Sequence, residues 1–198
     1  RQEYGTLYTL AELEAIRKVC TKYDMPLFID GARLGYALTA TGNDVTLEDI
    51  ARIADVFYIG GTKVGAMFGE AVVFTHGNMP KNFVTLVKQH GALLAKGWLL
   101  GVQFDTLFTD DLYCRIARHA NDAADRIREV LVERGYTLTF DAPTNQIFIT
   151  LDNATSGRLQ RNVRLGFMEK ADDTHTVMRI CTSWATTDEQ VEQLIALL

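Results

Sequence analysis

Cysteine is scarce in this sequence, and the few cysteines present are not arranged for cross-linking or metal binding. The 198 residues include three, Cys20, Cys114 and Cys181, which lie far apart in the chain. No two of them form a CxxC pair of the kind that holds zinc or does redox work. An odd number also argues against a disulfide framework, so we expect a reducing, cytoplasmic location and no metal site.

Long apolar runs and a strong charge excess are missing as well. The most apolar stretch, residues 92–108, is interrupted by Lys96, Gln103 and Asp105, so it is not expected to cross a bilayer. The chain does not open with a charged and then apolar leader, so nothing in it indicates secretion. The formal net charge is -5 with acids and bases interspersed, which argues against nucleic acid or an anionic membrane as a partner. The expected partner is a small molecule or another protein subunit.

The first half of the chain contains alternating helix and strand signals. Residues 9–12 form a capping-box pattern, which predicts a helix as far as about Lys22. The short, fully apolar runs at residues 25–29 and 56–59 predict strands that are buried on both faces, as in a parallel sheet. A short helix between them and a third strand at residues 71–74 continue the alternation. We therefore expect an α/β fold with a mostly parallel sheet.

The second half has a different pattern. Residues 80–108 have a helical pattern that is broken near three glycines, Gly91, Gly97 and Gly101. A long amphipathic helix is predicted over residues 110–134. Strands with helical segments between and after them are predicted at residues 136–140, 146–151 and 176–181. We therefore expect a large domain over residues 1–109 and a small α+β domain over residues 110–198.

An acidic residue at the end of the first predicted strand is the first candidate for chemistry. Asp30 follows the apolar run and precedes a small-residue turn and Arg33. A buried carboxylate is costly without a partner. It could hold a heteroaromatic nitrogen in its protonated form, because the ring cation stabilises the ionised carboxylate. The alternative interpretation is that Asp30 caps the following helix or pairs with Arg33.

A lysine among glycines follows the next strand, in residues 60–66. Lys63 has room there to bend inward, and Thr62 places a hydroxyl beside it. A partly desolvated lysine can lose its proton and attack an aldehyde as the free amine. The alternatives are a solvated loop lysine and a phosphate-binding lysine, although the segment lacks the P-loop pattern GxxxxGK[ST].

Asp30 and Lys63 are more informative together than separately. Each lies at the carboxyl end of a predicted strand, and ligands of α/β sheets bind at that edge. A lysine for the aldehyde carbon and a carboxylate for the pyridinium nitrogen are the two groups that pyridoxal 5'-phosphate (PLP) requires. The pair therefore favours PLP as the cofactor.

Five motifs, from the first residues to the C-terminal helix, point the same way. They are EYGTLYT at 3–9, IDGAR at 29–33, GGTKVG at 60–65, GALLAKG at 91–97 and MRICTSW at 178–184. These motifs resemble those of the threonine aldolase / aromatic amino acid β-eliminating lyase group of fold-type I PLP enzymes. DGAR followed by the GGTK lysine is fairly specific, whereas each tetrapeptide alone is not. The resemblance implies part of a three-layer αβα PLP-binding domain followed by a small C-terminal domain.

The resemblance also implies roles for individual residues. Lys63 would bind PLP covalently, with Thr62 beside it as a further cofactor contact, and Asp30 would contact the pyridine nitrogen. Arg33 would lie near the cofactor and the substrate carboxylate, which Arg179 would bind. A guanidinium group suits bidentate carboxylate recognition, although Arg179 could also be a surface charge at a strand edge.

The activity implied is PLP-dependent cleavage of a β-hydroxy-α-amino acid, L-threonine or L-allo-threonine, to glycine and an aldehyde. The alternatives are a PLP-dependent β-eliminating lyase acting on an aromatic or sulfur amino acid, and a non-catalytic PLP-fold assembly module. The family also implies a homodimer or homotetramer. In the family, the phosphate-binding loop and the ring-stacking group precede the region that corresponds to Arg1. The resemblance therefore implies that the corresponding part either belongs to a longer form of this protein or is supplied by another chain.

Overall fold

Helices and strands alternate in the first half of the chain, whereas a second sheet occupies most of the second half. The structure, a computed structural model, describes residues 4–198. The strands are β1 (Phe28–Ile29), β2 (Val56–Gly60), β3 (Glu70–Phe74), β4 (Thr137–Leu138), β5 (Gln146–Asp152), β6 (Gly166–Lys170) and β7 (His175–Cys181). The helices are α1 (Leu10–Lys22), α2 (Leu34–Leu38), α3 (Leu47–Ile53), α4 (Phe83–Gln89), α5 (Trp98–Phe108), α6 (Leu112–Glu133), α7 (Asn153–Leu159) and α8 (Asp188–Leu197). A single 3-10 turn, Thr109–Asp111, joins α5 to α6.

The start of α1 is confirmed in detail. The Thr9 side chain accepts a hydrogen bond from the Glu12 backbone N–H, and the Glu12 carboxylate accepts one from the Thr9 N–H. These two bonds satisfy backbone donors that a helix start would otherwise leave unpaired. The same reciprocal arrangement begins α3 and α8. Side chains within three residues of each other therefore define where each of these three helices begins.

The first sheet has the order β1-β2-β3, in which β1 and β2 are parallel and β2 and β3 are antiparallel. One face, with Phe57 at its centre, lies in a hydrophobic core that also contains Tyr36, Ile50 and Tyr113, here called the first core. The other face carries Phe28, 58% exposed, and Val72, 48% exposed. The prediction that residues 25–29 form a strand buried on both faces is therefore wrong for the described residues. β1 has only two residues, and the core of the described chain lies against one face of its sheet.

The second sheet is wholly antiparallel, with the order β4-β5-β7-β6. The three predicted strands correspond to β4, β5 and β7, but β6 was not predicted. β6 lies at the sheet edge with an exposed Phe167, so it lacks the run of buried apolar residues that marks an inner strand. One face of this sheet packs with α6, α7 and α8 around a second hydrophobic core, which includes Ile127, Ile149 and Met178 and is here called the second core.

The long helix α6 connects the two cores. Its first half contributes Tyr113 and Ala117 to the first core, and its second half contributes Ile127 and Leu131 to the second. The helix begins at Leu112, two residues later than predicted, after two aspartates with positive φ. The division into residues 1–109 and 110–198 stays a prediction.

The glycine breaks of residues 80–108 are confirmed in two of three cases. Gly91, with φ 73, follows α4, and Gly97 is the N-cap residue of α5. The predicted break near Gly101 is wrong, since α5 runs through it. A glycine costs a helix only about 1 kcal/mol relative to alanine, and the long apolar side chains around Gly101 outweigh that cost.

None of the described helices combines the length and the apolar character that crossing a membrane requires. No group of three or more His, Cys, Asp or Glu side chains within residues 4–198 is arranged to hold a metal ion.

Candidate active site

The turn that carries Asp30 and the turn that carries Lys63 are in direct backbone contact. The Gly60 N–H donates to the Gly31 carbonyl over 2.9 Å. A Cβ atom on Gly31 would lie 1.9 Å from the Tyr58 carbonyl oxygen, and one on Gly60 would lie 2.3 Å from the Ala32 carbonyl oxygen. Only glycine allows two backbones to approach this closely. The two motifs therefore meet at the carboxyl ends of the parallel strands β1 and β2.

The Asp30 carboxylate is held in a defined direction. Its Oδ1 atom accepts a hydrogen bond from the Ala32 N–H over 3.0 Å and another from the Tyr58 hydroxyl. Tyr58 lies on β2, and its ring packs 6.1 Å from that of Phe28. Helix α2 has Arg33 as its N-cap residue and no side-chain cap. The Asp30 carboxylate thus binds the backbone of the turn directly before the helix.

Lys63 combines a fixed backbone with an exposed side chain. Its carbonyl oxygen accepts a hydrogen bond from the Tyr36 hydroxyl. One residue further on, Val64 is fully buried and its N–H donates to the Gly61 carbonyl over 2.9 Å. Before the lysine, the Gly61 N–H and the Thr62 hydroxyl both donate to the Glu70 carboxylate. The amine is thus presented from a turn that is anchored on both sides, which argues against a loosely held loop lysine.

Two buried tyrosines connect this turn to the rest of the molecule. Burial raises the pKa of Tyr36 to about 12, although a backbone hydrogen bond with Trp184 opposes the rise. The Tyr113 hydroxyl donates to the Gly60 carbonyl over 2.9 Å and accepts from the Gly35 N–H over 3.1 Å, and burial raises its pKa too. Both hydroxyls therefore stay protonated at neutral pH and keep donating to the turn.

The two candidate arginines lie on different elements of the fold. Arg33 precedes α2, and Arg179 lies in β7, where its Nη1 donates to Oε1 of the fully buried Gln146 over 3.4 Å. Burial raises the pKa of the Cys181 thiol, and the positive charges of Arg179 and Arg33 oppose that rise. Both guanidinium groups therefore act on the electrostatics of this thiol. Because β7 is an inner strand and Arg179 is half-buried, this arginine is not a surface charge at a sheet edge.

A cavity of about 520 Å³ lies beside part of this constellation. Its wall includes Asp30, Arg33, Tyr36 and Gln146, together with apolar side chains from α1 and α3. Lys63, Thr62 and Arg179 are not among its lining residues. The structure thus brings Asp30 and Arg33 to one cavity and links Lys63 to them through the backbone.

Sequence reasoning missed the residues that hold this site together. Three tyrosines, one glutamate and one glutamine make the contacts described above: Tyr36, Tyr58, Tyr113, Glu70 and Gln146. The tyrosines lie in helices or strands, where an aromatic residue is typical of a core. Glu70 is the first residue of the otherwise apolar strand β3 and has no motif around it. No local signal marks these residues, because their partners are distant in the chain.

A lysine and a carboxylate thus lie on adjoining turns of an α/β sheet, at the edge where such sheets bind ligands. The family model for beta-eliminating lyases matches residues 2–154, and the chain belongs to this family. It is 30% identical over 193 residues to the low specificity L-threonine aldolase of Pseudomonas aeruginosa, a match that covers 97% of this chain and 55% of that protein. A low specificity L-threonine aldolase from a Pseudomonas species is 29% identical, covering 98% of this chain and 56% of that protein.

Solved structures agree with this assignment. The threonine aldolase of Leishmania major superposes with a TM-score of 0.95 at 42% identity, covering 98% of this chain and 57% of that one. The serine palmitoyltransferase of Sphingomonas wittichii superposes with a TM-score of 0.65 at 18% identity, covering 93% of this chain and 49% of that one, which shows the fold alone. The expected fold-type I architecture is confirmed. The chain spans little more than half the length of the curated relatives it matches.

Proposed function

We propose that this chain is the lysine-bearing part of a PLP-dependent threonine aldolase. The reaction is cleavage of a β-hydroxy-α-amino acid, L-threonine or L-allo-threonine, to glycine and an aldehyde. The observation that carries the proposal is the Gly31–Gly60 backbone contact, which holds the Asp30 turn against the Lys63 turn. The names of the Pseudomonas and Leishmania relatives support the same activity.

The chemistry of the available side chains fits PLP. An exposed primary amine on a fixed turn suits an aldehyde, and an oriented carboxylate suits a protonated ring nitrogen. Lys63 would hold the cofactor at its aldehyde carbon, Asp30 at the pyridine nitrogen, and Thr62 would lie beside them. When bound, PLP supplies an electron-accepting ring for cleavage at the substrate α-carbon.

The remaining groups act on the substrate. Arg33 and Arg179 bind its carboxylate, because guanidinium groups form paired, charge-assisted hydrogen bonds with carboxylates. This grip orients the bond to be broken, which contributes to the rate by removing rotational freedom before the reaction. The Lys63 amine accepts or returns a proton at Nζ once the substrate is in place.

The test is to locate PLP on the full-length protein. We expect a visible absorbance band on addition of PLP, and we expect borohydride reduction followed by peptide mass spectrometry to place the label on Lys63. Lys63→Ala removes the band, whereas the control Lys18→Ala, an exposed lysine of α1, retains it. A label on a different lysine contradicts the proposal. Absence of any bound PLP favours the non-catalytic assembly module instead.

Product analysis separates the two lyase activities. Glycine and acetaldehyde from L-threonine or L-allo-threonine support retro-aldol cleavage. A keto acid and ammonia from an aromatic or sulfur amino acid support β-elimination, the activity for which the matching family model is named. The same assay with both threonine isomers determines the preference at the β-carbon.

We further propose that the protein is a cytoplasmic homodimer or homotetramer that uses the apolar surface of α5. Trp98 is 64% exposed and Val102 is 52% exposed, and only Leu107 of this helix is buried. Apolar area of this kind marks association surfaces. Light scattering on Trp98→Glu should show a smaller particle than the parent protein, and an unchanged mass contradicts this surface.

The cytoplasmic location is consistent with three cysteines that are all free thiols.

A further inference from the structure

Glu70 stands out because its carboxylate accepts hydrogen bonds from both residues that precede the lysine. Oε2 accepts from the Gly61 N–H, and Oε1 accepts from the Thr62 hydroxyl over 3.0 Å. Glu70 is the first residue of β3 and lies opposite Gly60 in the antiparallel ladder with β2. The side chain therefore reaches back across the turn, 8 and 9 positions along the chain.

The other contacts of this turn act on different atoms. The carbonyl oxygen of Gly61 accepts from the N–H groups of Val64 and Ala66, each over 2.9 Å, and Tyr36 donates to the Lys63 carbonyl. These bonds fix the turn on the side that follows the lysine. The Glu70 carboxylate binds the residues on the side that precedes it. A carboxylate suits two donors because each oxygen accepts one, and a charged acceptor roughly doubles the strength of each bond.

We propose that Glu70 is a positioning residue for Lys63. By holding Gly61 and Thr62, it fixes the direction in which the lysine leaves the turn, and so where Nζ meets the PLP aldehyde. This inference rests on the proposed function, since it concerns the lysine that binds PLP.

The decisive variant is Glu70→Gln. An amide retains the size of the side chain but carries no charge, so its oxygen is a weaker acceptor for the Gly61 N–H, and its NH₂ group can only donate to the Thr62 hydroxyl, which reverses that bond. We expect the affinity for PLP to fall about tenfold, which corresponds to about 1.4 kcal/mol. We also expect the circular dichroism of the visible PLP band, measured per bound PLP, to change, because it reports the orientation of the bound ring, which a general loss of stability does not alter. Glu129→Gln, an exposed glutamate of α6, is the matched control and should change neither quantity.

The second variant is Thr62→Val, which removes one of the two donors and keeps the side-chain shape. It should weaken PLP binding about threefold, and the double variant should be no worse than Glu70→Gln alone, because both changes remove the same interaction. If Glu70→Gln does not fold, an unchanged PLP affinity of Thr62→Val overturns the proposal.

The outcomes distinguish this inference from the proposed function. If the parent protein carries PLP on Lys63 while Glu70→Gln binds it within twofold and with the same circular dichroism of the PLP band, the role of Glu70 is wrong and the proposed function stands. If borohydride reduction of the parent protein labels no lysine or another one, the proposed function is wrong and the inference fails with it.

Discussion

The contact between Gly31 and Gly60 leads to a prediction that can be worked out from the distances. In Gly60→Ala the new Cβ would lie 2.3 Å from the Ala32 carbonyl oxygen and 2.5 Å from the Ala32 carbonyl carbon. These are backbone atoms, so no side-chain rotation relieves the clash, and the two turns must separate by about 1 Å to restore ordinary contact distances. The hydrogen bond from the Gly60 N–H to the Gly31 carbonyl, now 2.9 Å, is then lost.

The cost follows from these two effects. An overpacked contact costs about 1–3 kcal/mol, and a buried N–H left without its partner costs about 1–3 kcal/mol more. We therefore expect Gly60→Ala to lower the free energy of unfolding by about 2–6 kcal/mol, a large part of the stability of an ordinary domain. Because the same contact joins the Asp30 and Lys63 turns, PLP binding should weaken as well.

Urea denaturation followed by circular dichroism measures the first effect. The control is Gly101→Ala in α5, where a Cβ meets nothing within 4 Å. There we expect a gain of about 0.5–1 kcal/mol, because alanine is the better helix former. A loss below about 1 kcal/mol in Gly60→Ala would refute the reasoning, since it would mean that the turns separate at little cost.

Three further predictions concern residues outside the candidate site: Asp55, Cys114 and Thr9. The Leu27 N–H and Arg17 hold the pKa of Asp55 below its ordinary value. The stability that Asp55 contributes is therefore fully present above about pH 4 and is lost as the pH falls through the lowered pKa. The loss of free energy of unfolding in Asp55→Asn, measured by urea denaturation, should therefore shrink below that pH. A loss that does not depend on pH contradicts this. Burial raises the pKa of Cys114 to about 11, so at pH 8 only roughly one thiol in a thousand is ionised, and labelling by iodoacetamide should be slow until urea is added. Thr9→Ala removes a capping bond and should cost about 1 kcal/mol in urea denaturation, and an unchanged midpoint argues against the cap.

Local chemistry explains which elements were predictable from sequence. The helix that begins after Thr9 was placed correctly because its cap and its apolar spacing lie within a few neighbouring residues. The edge strand β6 was missed because edge strands carry polar residues that resemble those of loops. The burial of residues 25–29 was overestimated, since an apolar run indicates burial without showing which faces of a strand are covered.

From the sequence by itself, the DGAR and GGTK motifs and the ends of the strands that they follow identified Asp30 and Lys63 as candidates. Only the tertiary structure decided that their turns touch through Gly31 and Gly60, and that Glu70 holds the residues before the lysine. The physical reason is the reach of each interaction. Caps and apolar periodicity act over a few positions, whereas these contacts arise only when the strands pair and bring distant backbone groups within hydrogen-bonding distance.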